Sequence, residues 1–213
     1  AVTRTAVRFL DDCHNVQPVV DERIDTTSRH GTRRIGLGVM GWADLLFALE
    51  IPYNSSEALA LAMKVSTCIY ETAKETSEAL GQEHGAFGFW EESRLKETGV
   101  PMRRNAALMS ISPTGSVSIL ADVSGGIEPN FALSFMRTVT GQNTGSFYVA
   151  NPIFQTALEQ YKVPKNVQDK VIKRGFLLPD DDVPDKLKSV FVTAPQISPE
   201  WHIKMQAAWQ ENV

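Results

Sequence analysis

The stretch Ser110-Ile-Ser-Pro-Thr-Gly-Ser-Val-Ser-Ile-Leu-Ala-Asp-Val-Ser-Gly-Gly-Ile-Glu-Pro129 decides the reading of this chain. The apolar run from Ala106 to Ile111 leads into its turn, and Val117-Ser118-Ile119-Leu120-Ala121 leads out. This order predicts a strand, a tight turn of small residues and a short helix. Pro113 fixes its φ and lacks an N–H, which suits a turn or a first helical position. Thr114 and Ser116 bring hydroxyls, and Gly115 lets the backbone approach another group closely. A helix start with unspent N–H groups beside hydroxyls can hold an anion, most often phosphate. The same residues also fit an ordinary strand-to-helix connection capped by Ser or Thr, and on this turn alone the plainer reading stands ahead.

The rest of the composition narrows the class. The chain has 213 residues, 43% of them hydrophobic and 22% charged, as expected of a globular protein. Its net charge of −4 argues against a general nucleic-acid-binding surface. No apolar run reaches the roughly 18 residues that suggest a membrane span. Cys13 and Cys68 lie far apart without a Cys-x-x-Cys, which fits free thiols in a reducing, cytoplasmic setting and gives no metal motif. His14, His30, His84 and His202 are scattered, with no two at ligand spacing, and read as surface or capping residues. The first residues, Ala1-Val2-Thr3-Arg4-Thr5, read as the body of a helix, as though the chain began mid-protein.

Along the chain, Ala6, Val7, Leu10 and Cys13 fall at helical spacing, and residues 17–34 read as a loop with one helical turn. Gly36, Gly38 and Gly41 match G-x-G-x-x-G, but no buried strand precedes them, and Glu57, near the expected acidic position, opens a helix instead. Close packing against a neighbour is the better reading, followed by a short apolar helix from Val39 to Leu49. Arg33 and Arg34 read as a solvated pair ahead of a pair facing an anionic ligand. Asn54 and Glu57 suggest a capping box for the longest helix, to about Leu80, with Ala58, Leu61, Ala62, Val65, Cys68, Ile69 and Thr72 on its apolar face and Gly81 and Gly85 at its end.

Residues 86–105 predict a loop with one short helix, anchored by Phe87, Phe89 and Trp90. Farther on, Phe131 to Val139 predicts a strand and Gly141 to Gly145 a turn. Helices are expected from Asn151-Pro152 to Tyr161 and from Val167 to Arg174. Pro179-Asp180-Asp181-Asp182 reads as a solvated acidic turn, and Val190-Phe191-Val192 as a short strand. Ser198-Pro199-Glu200 starts a helix with Trp201, Met205, Ala208 and Trp209 on one side.

Four stretches together resemble one family. They are Arg34-Ile-Gly-Leu-Gly-Val-Met-Gly-Trp-Ala-Asp-Leu-Leu46, Asn105-Ala-Ala-Leu-Met-Ser-Ile-Ser-Pro-Thr-Gly-Ser-Val-Ser118, Gly125-Gly-Ile-Glu-Pro-Asn-Phe131 and Ile197-Ser-Pro-Glu-Trp-His-Ile-Lys-Met-Gln-Ala-Ala-Trp-Gln210. In this order they resemble the large, catalytic subunit of ribonucleotide reductase, most of all the adenosylcobalamin-dependent class II enzymes. The resemblance implies an α/β fold, with residues 1–213 a single incomplete domain from the C-terminal part of a ten-stranded α/β barrel, helix-rich in this segment. It implies that Pro113, Thr114, Gly115, Ser116 and Val117 hold the phosphates of a ribonucleoside di- or triphosphate. The parent enzyme would reduce ribonucleotides to 2′-deoxyribonucleotides by thiyl-radical chemistry, with adenosylcobalamin as cofactor and a thioredoxin-type reductant. Its partners would include the remainder of the catalytic barrel, with a homodimer among the expectations, but no nucleic acid and no membrane.

The sequence departs from the family pattern in several respects. The family's Asn-x-Cys-x-Glu motif, whose cysteine becomes the thiyl radical, does not occur here, and Cys13 and Cys68 do not sit in the contexts of the catalytic cysteines. That motif and the allosteric region are expected before residue 1, and the thiol-bearing tail after residue 213. No catalytic residue is therefore assigned within this chain, and the isolated segment is expected to be inactive. A non-catalytic phosphate-binding or scaffold module is the alternative. A serine hydrolase using Ser116 fails for want of a Gly-x-Ser-x-Gly elbow and a plausible histidine.

Overall fold

A computed structural model describes residues 1–139 and 145–213 of the chain. In order, its elements are α1 (Val2–Val16), α2 (Glu22–Asp25), a π-helical stretch (Thr26–Thr32), α3 (Trp42–Ala48), α4 (Ser56–His84), α5 (Arg94–Glu97) and α6 (Gly115–Ala121). Then come β1 (Ser134–Val139), β2 (Gly145–Ala150), α7 (Pro152–Gln160), α8 (Lys165–Arg174), α9 (Asp185–Val190), a 3-10 turn (Ala194–Gln196) and α10 (Pro199–Gln210). β1 and β2 pair antiparallel, from Ser134 opposite Ala150 to Val139 opposite Gly145. The turn expected at Gly141–Gly145 lies, over residues 141–144, outside the described residues. The chain divides into two compact units. One comprises Ala1–Gly38, Ala62–Ser112 and Ala208–Val213; the other comprises Val39–Leu61 and Pro113–Ala207.

In the first unit, Val7, Ile35, Ala73, Leu80, Leu108 and Met109 form an apolar cluster with Leu10, Leu37, Ile69 and Tyr70 packed on it. The strand expected at Ala106–Ile111 is reduced to an extended segment with a single parallel bridge, Leu37 to Met109. Hydrogen bonds from Ile35 N to Ala107 O, Leu37 N to Leu108 O and Ser110 N to Leu37 O hold it. The glycine motif serves this pairing: a Cβ on Gly38 would sit 2.7 Å from the Ser110 carbonyl oxygen. The close-packing reading therefore stands for Gly36 and Gly38, with Ser110 as the neighbour, whereas Gly41 takes a left-handed φ of +80°.

Several expectations change in this unit. Asp11 and His14 are buried on α1, whereas Cys13 is only half-buried. His14 is thus no surface residue; its Nε2 lies 2.9 Å from Arg34 O. Residues 22–32 are helical rather than loop, because Asp21 caps α2 by accepting from Arg23 N. Arg33 and Arg34 are not a solvated pair. Arg34 is exposed, while Arg33 is 4% exposed and donates from Nε to Asp11 Oδ1 at 3.0 Å. Asn105 Nδ2 donates to the same oxygen at 2.8 Å, and Ser77 Oγ donates to Asn105 Oδ1 at 2.8 Å. A buried charge is tolerable only when paired and hydrogen-bonded, and this network meets that condition.

The longest helix starts one residue later than its sequence signal. Ser55, not Asn54, is the cap, its Oγ accepting from Ala58 N at 3.1 Å. Cys68 is exposed, against expectation. Ala58 and Ala62 are buried as expected, but the line continues through Ser66, Ala73, Ser77 and Leu80, because small serines can be buried by turning their hydroxyls onto nearby acceptors. The helix passes through Gly81 and stops at Gly85, whose φ is +83°. Phe87 and Trp90 do anchor the following loop, in an edge-to-face pair 5.6 Å apart, while Phe89 is 41% exposed.

The second unit has the larger core. Phe47, Leu133, Phe154, Leu158, Val171, Leu187, Val190 and Phe191 belong to one cluster. Phe191 lies 4.7 Å from Phe47 and 5.1 Å from Phe154 between ring centroids. Val190-Phe191-Val192 is not a strand: Val190 ends α9, and Phe191 turns the chain inward with ψ 56°. The start of α7 is as expected, with Asn151 Oδ1 accepting from Ile153 N and Phe154 N and Pro152 in the first position. Pro199 likewise opens α10, where Met205, Ala208 and Trp209 are buried. The acidic turn is only partly solvated. Asp181 is buried, paired with Arg174 and accepting from Leu178 N at 2.7 Å.

Candidate functional site

The candidate site is built on the second unit, from Pro113 onward. Pro113 is exposed. Thr114 follows as the residue capping α6 (φ −80°, ψ 45°), half-buried, and Gly115, Ser116 and Val117 form the exposed first turn. The five residues expected to bind phosphate are therefore contiguous along the outer edge of one turn. Among the described residues, no acceptor meets the amides of Ser116 and Val117, while Ser118 N is spent on Thr114 O at 2.8 Å. Gly115 is not required by packing: a Cβ there would meet nothing within 4 Å, and its φ is not left-handed. Ser118 faces inward, its Oγ donating to Gly115 O at 2.9 Å.

Thr114 does not cap the helix in the ordinary way. An N-cap threonine oxygen usually accepts from an amide of the first turn. Here Thr114 Oγ1 accepts from Gly126 N at 2.8 Å instead. Its hydroxyl proton remains to be donated; Gly115 N donates to Pro113 O at 2.9 Å, and among the described residues the amides of Ser116 and Val117 stay open.

Residues 122–130 form a strap behind this turn. Asp122 ends α6 in the left-handed region, φ 54°. Gly41 N donates to Ser124 O at 2.7 Å, and Trp42 N donates to Gly126 O at 3.4 Å. Buried Tyr53 donates its hydroxyl to Ile127 O at 2.9 Å. Burial, aided by the Glu128 carboxylate, raises the Tyr53 pKa well above the usual phenol range, so the hydroxyl stays protonated and remains a donor.

Asp44, in the first turn of α3, ties these parts together. Its Oδ2 accepts from Ser124 N at 2.6 Å, and its Oδ1 accepts from Asn130 Nδ2 at 3.1 Å and Asn151 Nδ2 at 2.8 Å. Its own amide donates to Ser124 Oγ at 3.3 Å. An open pocket of about 170 Å³ adjoins this hub, lined in part by Asp44, Ser118, Asn130, Phe135, Arg137 and Asn151. Sequence reasoning did not single out Asp44, Tyr53, Ser124 or Asn130. Asp44 sits 80 to 107 residues from its partners, a separation no local pattern registers.

The chain has clear relatives. Residues 1–103 and 94–213 match the family model described as "Ribonucleotide reductase, barrel domain". A vitamin B12-dependent ribonucleoside-diphosphate reductase of Thermoplasma acidophilum is 40% identical over 206 residues, covering 97% of this chain and 26% of that protein. Its counterpart in Mycobacterium tuberculosis (strain CDC 1551 / Oshkosh) is 38% identical over 213 residues, covering 100% of this chain and 30% of that protein. Among solved structures, the class Id ribonucleotide reductase alpha subunit of Actinobacillus ureae superposes with a TM-score of 0.79 at 25% identity, over 99% of this chain and 38% of that one. The chain thus spans about 26–30% of the length of these two curated relatives. The helix-rich α/β fold, the four quoted motifs and these matches lead to one conclusion: the chain belongs to the ribonucleotide reductase barrel-domain family.

Proposed function

We propose that this chain is the segment of a ribonucleoside-di- or triphosphate reductase that binds the substrate's phosphates, through Pro113, Thr114, Gly115, Ser116 and Val117. The observation that carries the reading is the first turn of α6, where two backbone amides lack acceptors among the described residues, the Thr114 hydroxyl can donate and a glycine leaves open space. Amides and hydroxyls arranged in this way favour a phosphate oxygen over water. Holding the phosphates fixes the ribose relative to the reacting groups, a positioning effect rather than chemistry. No catalytic side chain is assigned to this segment. Residues 1–213 act as one incomplete barrel domain within a cytoplasmic protein.

The relatives named as vitamin B12-dependent support adenosylcobalamin as the cofactor of the whole protein. It would supply the radical; no residue of this chain is assigned to it. The ring nitrogens of His14 and His202 meet backbone carbonyls, and His30 and His84 lie beside surface carboxylates. A thioredoxin-type reductant and a homodimer complete the proposal.

The test is equilibrium binding of a nucleoside diphosphate to the full-length polypeptide carrying Gly115→Glu with Ser116→Glu. Like charge against the phosphates should weaken affinity by at least about tenfold. Unchanged affinity in this double variant overturns the phosphate assignment. Reductase turnover that does not depend on added adenosylcobalamin overturns the cofactor assignment.

A further inference from the structure

We infer that Asp44 is a positioning residue for the phosphate-binding turn: through the strap it holds, it turns the Thr114 hydroxyl away from capping α6 and toward the bound ligand. This rests on the phosphate reading above and goes beyond it, because Asp44 lies outside the turn and does not belong to the set proposed to touch phosphate.

Thr114 Oγ1 has two ordinary choices of donor, a first-turn amide of its own helix or an amide from elsewhere. It takes Gly126 N. Gly126 is presented to it by a strap that Asp44 pins on both sides, at Ser124 through Oδ2 and at Asn130 through Oδ1, while Gly41 N, Trp42 N and the Tyr53 hydroxyl hold the carbonyls between. Asn151 donates to that same Oδ1, so the carboxylate binds the strap to the start of α7 as well. Three donors on two oxygens require a carboxylate. The amide of an asparagine offers one acceptor and would place an NH₂ against at least one N–H.

Release of the strap frees Thr114 Oγ1 to accept from a first-turn amide. One ligand-facing donor is then spent, and the hydroxyl loses its orientation. The expected consequence is weaker binding of the phosphate-bearing ligand, with the reacting end of the substrate untouched.

The experiment is a double-variant cycle in the full-length polypeptide, with Asp44→Asn, Thr114→Val and both together. Affinity for a nucleoside diphosphate is read by calorimetry, and KM and kcat are read separately. Asp44→Asn should weaken affinity and raise KM about tenfold with kcat unchanged. In the Thr114→Val background it should add less than about twofold, because the group it acts through is gone. Equal effects in both backgrounds, or no effect of Asp44→Asn, overturn the inference. A fall in kcat without a rise in KM also overturns it. If Asp44→Asn does not fold, Asn130→Ala, which removes one donor and leaves the carboxylate, takes its place, with a few-fold effect expected and the same criteria. The Gly115→Glu/Ser116→Glu variant separates the two claims. Loss of binding there with no effect at Asp44 rejects the positioning role alone; unchanged binding there rejects both.

Discussion

The Arg33 guanidinium lies 2.9 Å from the Asp11 carboxylate, with the two side chains 5% and 3% exposed. The pair joins α1 to the segment just before the glycine motif, and Asn105 completes it from 94 residues away. Removing Asp11 would strand a buried cation. Asp11→Ala should therefore destabilise the fold by about 3–5 kcal/mol, whereas Asp11→Leu with Arg33→Met, which removes both charges, should cost less than Asp11→Ala alone. Urea denaturation of the three proteins measures the order.

Asp181 gives a pH dependence of known sign. Burial opposes its ionisation, but the Arg174 ion pair and the Leu178 amide outweigh that and hold its pKa below the ordinary aspartate value. A carboxyl with a lower pKa in the folded state favours folding when ionised. Its contribution is complete above the unfolded value near about pH 4 and is lost as pH falls through the lowered folded value. Asp181→Asn should lower stability at pH 7 and flatten the stability profile in that acid window. Thermal unfolding between pH 2 and 7 tests both.

Two glycines should respond oppositely to the same change. Gly38→Ala forces a Cβ to 2.7 Å from the Ser110 carbonyl oxygen, a backbone atom that cannot step aside. It should cost about 1–3 kcal/mol. Gly115→Ala meets nothing within 4 Å and sits in the first turn of a helix. It should leave stability unchanged or raise it by up to about 1 kcal/mol. If the turn receives a ligand, Gly115→Ala should at the same time weaken nucleotide binding. Denaturation and calorimetry on the same pair of variants report the two effects.

Phe191 is the ring shared by the Phe47 and Phe154 contacts of the larger core. Phe191→Ala should cost about 3–5 kcal/mol, and Phe191→Leu clearly less, since most of the volume remains. Chemical denaturation orders the two.

Much of this was legible in the sequence, for physical reasons. Asn151-Pro152 and Ser198-Pro199 each start a helix where proline's fixed φ says so, and the small-residue turn at Pro113–Val117 stands where it was expected. The errors share a cause. His14 and Arg33 read as surface residues, and buried Asp11 drew no reading, because a sequence shows charge but not the partner that neutralises it. Ser66 and Ser77 hid the true buried face of α4, so Cys68 was placed inside when it lies outside. Val190-Phe191-Val192 has strand composition, yet tertiary packing of Phe191 overrode it. The antiparallel partner of β1 was not anticipated, and Asp44 carried no local sign of its three partners.

The Asp44 hub also bears on how the chain acquires the turn proposed to bind phosphate. Its three hydrogen bonds close chain segments of 80, 86 and 107 residues on a single carboxylate. Closures of that length carry an entropic cost, shared with the Gly41–Ser124, Trp42–Gly126 and Tyr53–Ile127 hydrogen bonds of the same segments, and are expected to form after the local helices. A growing polypeptide emerging from the ribosome holds Thr114 long before it holds Asn151. The grip proposed for the turn at Thr114 is then a property of the finished fold.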